Sequence, residues 1–251
     1  MKKLGLIAVV TFVAACSSSS TTTPTDAGGG QDAAPDVPSN TFTQSGKIVD
    51  FDSNKGLKGV TVTAKTATDT FTATTDDTGK YALAVPKNTP YTMSLTADKY
   101  LKLNEQEWSL TGDADRGSTK FVSAGTQSLL QALLTGYDNT LAVVSLGFIK
   151  LPSCTASLDG MTITLTTPDK AQVKYFNGGF PNGSAVSEGA SPAVLVYNFT
   201  PGAEMKFTLA NTTCKLAAFP QTDPTAPTIS YSGKVTSEAG QSASFIRFFL
   251  E

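Results

Sequence analysis

Short runs in which apolar residues alternate with threonine recur along this chain, and that period of two constrains the fold more than any other feature. Val60 and Val62 alternate with Thr61 and Thr63, and Phe71 and Ala73 share one face of the segment 68–75. Tyr81, Leu83 and Val85 alternate before Pro86, and Tyr91, Met93, Leu95 and Ala97 repeat the pattern. Successive side chains of a strand point to opposite faces, so each run predicts a strand with one buried side. Turn formers separate them, among them Asp76, Asp77 and Gly79, then Asn88 and Pro90. Several short strands punctuated in this way predict a β-sandwich.

The pattern resumes downstream. Residues 141–151, 161–166, 171–176, 193–199 and 205–210 carry further strand signals. After the Pro/Thr break at 220–227, residues 229–235 and 244–251 are expected to close this second unit. Phe245, Phe248, Phe249 and Leu250 are too apolar to hang free, so that last segment is expected in a sheet. Between the two units, Leu129, Leu130, Leu133 and Leu134 fall on one stripe at helical spacing. With Thr126 as N-cap and Gly136 as stop, they predict one short helix packed on a sheet.

Three segments carry a family resemblance: Ser45-Gly-Lys-Ile-Val49, Gly56-Leu-Lys-Gly-Val-Thr-Val-Thr-Ala64 and Thr74-Thr-Asp-Asp-Thr-Gly-Lys-Tyr-Ala-Leu83. Together they resemble the carboxypeptidase regulatory-like (transthyretin-like) β-sandwich over residues 45–100, with Asp76, Gly79 and Tyr81 filling its Asp-x-x-Gly-x-Tyr motif. The resemblance implies an accessory or spacer module without a peptidase site. The second unit repeats the order of strands but lacks that motif. The expected fold class is therefore all-β, with tandem transthyretin-like or Ig-like sandwiches and one short helix between them; a single larger sandwich with the helix as crossover is the alternative. The expected division is signal 1–15, tether 16–44, first sandwich 45–107, connector 108–140 and second sandwich 141–251.

Composition narrows the chemistry. The 251 residues include no histidine, which removes the commonest neutral-pH base, the His-containing triads and the usual imidazole metal ligands. Glu105, Glu107, Glu188 and Glu204 could serve as carboxylates, but no phosphate loop or Ser–Lys signature accompanies them. The chain is expected not to be an enzyme. Its formal charge is -2, with no basic block, which argues against nucleic acid. Cys154 and Cys214 remain as a pair for a disulfide in an oxidising compartment. Trp108, the only tryptophan, and Phe180 in a turn-rich stretch are the candidate contacts for a glycan or small ligand. Asp50, Asp52 and Asn54 present alternating oxygens, a weak calcium-turn pattern; glycine at the seventh place and Thr61 at the twelfth depart from the usual loop.

At the amino terminus, Lys2 and Lys3 precede an uncharged apolar run from Leu4 to Ala15, too short for a membrane-spanning helix. Val13-Ala14-Ala15-Cys16 resembles the lipobox of bacterial lipoproteins. That resemblance implies cleavage before Cys16, a covalent lipid on its sulfur and acylation of its new amino group, with no other cofactor. Ser17, in place of the inner-membrane-retaining Asp, implies the outer membrane where the source has two. The Ser/Thr/Gly/Pro-rich segment that follows has almost nothing to bury, so it is expected to act as a disordered tether. The partners expected are the membrane, through the lipid, and an envelope protein or glycan.

Overall fold

The structure is a computed structural model that describes residues 40–166, 171–177, 180–190, 193–203, 205–232, 234, 237–239 and 243–251. The first half runs β1 (Thr41–Asp50), β2 (Thr61–Lys65), β3 (Thr70–Thr74), β4 (Lys80–Pro86), β5 (Thr92–Thr96), β6 (Leu103–Glu105), β7 (Trp108–Leu110) and β8 (Ala114–Phe121), then helix α1 (Ala124–Leu133). The second half runs β9 (Ala142–Lys150), β10 (Thr162–Leu165), β11 (Gln172–Asn177), β12 (Phe180–Gly183), β13 (Ala193–Phe199), β14 (Phe207–Ala210), β15 (Gln221–Asp223), β16 (Ala226–Tyr231) and β17 (Ala243–Leu250). The fold is all-β apart from α1 and a short 3-10 turn.

One sheet crosses the molecule. Its nine strands run in the order β12-β11-β13-β9-β17-β6-β5-β2-β3, so strands of both halves share it. The joint is β17, which runs parallel to β6 on one side and to β9 on the other. Smaller sheets β4-β1-β8, β15-β16-β7 and β10-β14 complete the layers.

The pleat of β17 separates two cores. Ile246, Phe248 and Leu250 point into one core with Val144, Leu146, Phe148, Val194 and Val196. Phe249 points the other way, into a core built from Ile48, Val62, Leu83, Met93, Leu95, Trp108 and Leu110. A period of two on one strand thus supplies both cores. A third, smaller cluster of Leu134, Leu195 and Tyr197 lies under the end of α1.

Three expectations need correction. The first unit does not stop at residue 107: β8 pairs in parallel with β1, and Trp108, Leu110 and Phe121 are core residues. The alternation of β8 is hidden in the sequence by a bulge. The register shifts by one residue there, and Gly117 takes φ +66°. Next, β16 does not close the second unit. It pairs with β7, Ile229 opposite Leu110 and Tyr231 opposite Trp108, and so completes the first.

The helix also differs in detail. Ser123, not Thr126, is its N-cap, with Ser123 Oγ accepting from Thr126 N–H at 3.1 Å. Leu129 and Leu133 are 71% and 49% exposed instead of packed on a sheet. Leu134, beyond the last turn, is buried, in a small cluster that lies under the helix end. Gly136 takes φ +70° just past the helix, as its expected stop.

Candidate functional site

Trp108 is 1% exposed and stands inside the first core. Its ring stacks between Tyr91 at 5.6 Å and Tyr231 at 5.8 Å, and Tyr231 stacks in turn on Phe249 at 5.7 Å. The Arg116 guanidinium lies 3.9 Å from the Trp108 ring centroid. Arg116 Nη1 is 2.5 Å from Glu105 Oε2, with the two side chains 3% and 4% exposed. Beside this ion pair, Arg116 Nε and Nη1 and Trp108 Nε1 have no partner of hydrogen-bond geometry among the described residues. Burial works against the Arg116 charge. Glu105 and the nearby tyrosines outweigh it, and the pKa of Arg116 is raised.

The chain has only two arginines, and the other is also held by a buried carboxylate. Arg247 Nη1 lies 3.2 Å from Tyr231 Oη and 3.4 Å from Asp223 Oδ2. Above the ring stack, Tyr91 donates to Gln44 Oε1 at 2.7 Å, and Gln44 Nε2 donates to Tyr81 Oη at 3.0 Å. Burial raises the pKa of Tyr81, Tyr91 and Tyr231. The arrangement holds the Arg116–Glu105 pair where solvent does not reach, while Arg247 stays partly exposed beside the buried Asp223. A planar guanidinium suits it, because it can stack on a ring and face a carboxylate at once. Trp108 is therefore not the sugar platform expected of it.

The calcium-turn candidates spend their oxygens on the turn itself. Asp50 Oδ1 accepts from Ser53 N–H and Oγ–H at 2.7 Å each, and its Oδ2 accepts from the Tyr100 hydroxyl at 2.9 Å. Asp52 Oδ2 accepts from Thr126 Oγ1 at 2.6 Å, which ties the turn to the first turn of α1. Asn54 takes φ +57°, and its N–H donates to the Asp50 carbonyl at 2.9 Å. Burial disfavours the Asp50 carboxylate, but these hydrogen bonds prevail and lower its pKa. Among the described residues, no group of three or more His, Cys, Asp or Glu side chains could hold a metal ion.

Of the expected ligand contacts, Phe180 alone faces outward, at 42% exposure. It sits on β12, at the far edge of the nine-stranded sheet, whereas Trp108 belongs to the sheet β15-β16-β7. With Trp108 inside the core, the two cannot form one exposed groove. Helix α1 lies beside β12, so Leu129, Leu133 and Phe180 stand on adjoining elements. A shallow open depression next to them is lined by Gln131, Leu134, Gly136 and Tyr137.

The second half is fastened by a disulfide between Cys154 and Cys214, with a Cα–Cα distance of 5.3 Å. Beyond Cys214, Lys215 exchanges backbone hydrogen bonds with Glu251, and Ala217 N–H donates to the Phe249 carbonyl at 2.9 Å. Two glutamines finish the edge of β17 where β6 ends. Gln106 Oε1 accepts from Arg247 N–H, and Gln106 Nε2 donates to the Arg247 carbonyl at 3.2 Å. Gln221 Oε1 accepts from Phe249 N–H at 3.0 Å.

Of the glutamates considered as carboxylates, Glu105 pairs with Arg116, Glu107 with Lys234 at 3.3 Å and Glu188 with Lys150 at 2.9 Å. Cys16, its lipobox and the expected tether as far as residue 39, as well as Glu204, lie outside the described residues, whereas residues 41–44, expected as the end of that tether, belong to β1. No described helix is long and apolar enough to cross a membrane. Sequence reasoning missed Arg116, Arg247, Gln106 and Gln221. The scarcity of arginine beside many lysines was the available signal for the first two; the glutamines carried none.

Residues 43–120 match the model of the carboxypeptidase regulatory-like domain, a span that runs from within β1 almost to the end of β8. No curated protein matches the chain. Among solved structures it is similar to the Bacillus anthracis TIE protein, at 12% identity and TM-score 0.26, covering 84% of this chain and 34% of that one. The chain thus spans about a third of the length of that protein. It is also similar to GBS52, the minor pilin of Streptococcus agalactiae, at 10% identity and TM-score 0.25, covering 83% of this chain and 95% of that one. The shaft pilin SpaA of Lactobacillus rhamnosus GG stands at 14% identity and TM-score 0.24, covering 84% of this chain and 98% of that one. Likenesses at these scores decide nothing about fold or function.

Proposed function

We propose that this chain is a non-enzymatic lipoprotein of the cell envelope, anchored through acyl chains on Cys16, that presents its sandwiches as a structural or protein-interaction module. The observation that carries the reading is the charge-free helix α1, whose Leu129 and Leu133 face outward next to Phe180. Exposed apolar side chains on adjoining elements suit a protein partner. The buried Arg116–Glu105 pair, by contrast, meets no solvent.

The position of that surface supports presentation away from the membrane. The tether joins the fold at the start of β1, and β1 ends at the turn hydrogen-bonded to the first turn of α1. At about 3.3 Å per residue, its 10 residues separate the two ends by roughly 30 Å. The lipobox and Ser17 favour the outer membrane where the source has two. Two or three acyl chains would make such an anchor durable. With Trp108 inside the core, the glycan reading keeps Phe180 alone and is not favoured.

Mass spectrometry of the amino-terminal peptide from a membrane fraction tests the anchor: a diacylglyceryl group on Cys16 is expected, and an unmodified cysteine would overturn it. A photo-crosslinking amino acid at position 129 in intact cells tests the surface. It is expected to give a discrete protein adduct that is absent when the crosslinker replaces exposed Lys58; equal labelling at both positions would sink the interaction reading.

A further inference from the structure

The nine-stranded sheet ends at β3, which among the described residues is hydrogen-bonded as a strand only to β2, with β4 beside it but not paired to it. An edge strand offers a row of unpaired N–H and C=O groups, and proteins blunt such edges with charge, proline, bulges or a covering group. Three other edges here are blunted. β12 carries Pro181 and a register shift against β11; β4 carries Lys80 and ends in Pro86. The free side of β10 meets the Tyr175 hydroxyl, 2.9 Å from Ile163 N. β3 reads Thr-Phe-Thr-Ala-Thr, without charge, proline or glycine, and pairs with β2 without a register shift.

The hydrogen-bond parity of β3 is fixed by its flanks. Thr66 N–H donates to the Asp69 carbonyl at 2.9 Å, and Thr75 N–H donates to the Val60 carbonyl at 3.0 Å. The odd-numbered positions therefore bond inward to β2, and the backbone groups of Thr70, Thr72 and Thr74 face outward. Their side chains are exposed, whereas Phe71 and Ala73 are half-buried against the first core.

We infer that β3 is a self-pairing edge, taking the β3 of a second copy of this chain in antiparallel register about a two-fold axis at Thr72. The register follows from the parity. Thr72 would oppose its own copy, and Thr70 would oppose Thr74, each pair exchanging both backbone bonds. On the core side, each Phe71 would stand opposite an Ala73, a large side chain beside a small one. On the outer side, threonines would meet threonines, a favourable cross-strand pairing. No like charges oppose one another anywhere along the strand. The contact is isologous, so it closes at two copies.

The test uses the full chain, purified in detergent micelles. Sedimentation equilibrium is expected to give the mass of two chains, and Thr72→Lys, which places like charges opposite each other across the axis, is expected to halve it. The variant should still unfold cooperatively, since Thr72 is exposed, with a midpoint that no longer depends on chain concentration. In membranes, Thr72→Cys is expected to cross-link to a two-chain product under mild oxidation, because hydrogen-bonded pairs stand about 5.5 Å apart at Cα, within disulfide range. Thr63→Cys, in the interior strand β2, should not. A monomeric wild-type chain would overturn the inference. So would a dimer that survives Thr72→Lys without cross-linking at 72, or a cross-link from 72 to a different protein.

Discussion

The buried pair Arg116–Glu105 offers the sharpest test of how the first core is held. At 2.5 Å and an effective dielectric of about 20, the attraction is worth roughly 7 kcal/mol. Desolvating the two ions costs several kcal/mol each, so the pair contributes little net stability. Removing one partner is different, because the other charge stays behind where solvent does not reach. Glu105→Gln keeps the shape and removes the negative charge, and it should cost about 3–5 kcal/mol. Arg116→Met keeps much of the length and also removes the guanidinium from the face of Trp108; it should cost a similar amount, of which about 2 kcal/mol is the lost cation–π contact.

The double substitution should recover most of either loss, since no unpaired charge remains. Urea unfolding followed by tryptophan emission is the natural assay, because the only tryptophan lies directly beneath Arg116. A double-mutant cycle then gives the coupling, expected at about 2 kcal/mol or more. If either single change costs under about 1 kcal/mol, or the two costs simply add, the pair is not the isolated buried ion pair described here.

Three further outcomes are expected. Gln106→Leu should cost about 2–4 kcal/mol, since it strips partners from both the N–H and the carbonyl of Arg247; amide exchange at 247 should accelerate, and unchanged exchange would refute the role given to Gln106. Tyr81, Tyr91 and Tyr231 have folded pKa values raised by burial, so their contribution is complete below the unfolded value of about 10 and is lost as pH rises beyond it. The urea midpoint should fall steeply above that pH while phenolate absorbance stays low until unfolding; free titration of all tyrosines in the folded chain would contradict this. Replacing Cys154 and Cys214 together by alanine opens a crosslink of sequence separation 60 and should cost roughly 4 kcal/mol on the chain-entropy estimate. An unchanged midpoint would rule that contribution out.

Much of the fold was legible because β2, β4, β5 and β9 each keep strict alternation, and one-sided burial needs nothing else. The strands that escaped were those whose partners decide them. The bulge in β8 breaks its period, and β7 is three residues long, so Trp108 looked like a lone aromatic among polar neighbours. The assignment of β16 to the first unit depends on pairing across more than a hundred residues, which a local pattern does not carry. The leucine stripe of α1 illustrates the reverse error: spacing gave the helix but not the side on which anything would cover it. At the candidate sites, the Asp50 turn was legible as a turn, whereas the buried charges were not, since Glu105 and Arg116 read in isolation as surface residues.

Because β17 faces both ways, the two halves of this protein depend on it together. Neither hydrophobic interior can be sealed until residues 243–250 are in place, for each of them lacks a wall until then. Copies lacking that strand would therefore leave both halves open at once, exposed to proteolysis and not as partly working modules. One strand that walls both interiors ties their folding, and their loss, into a single event.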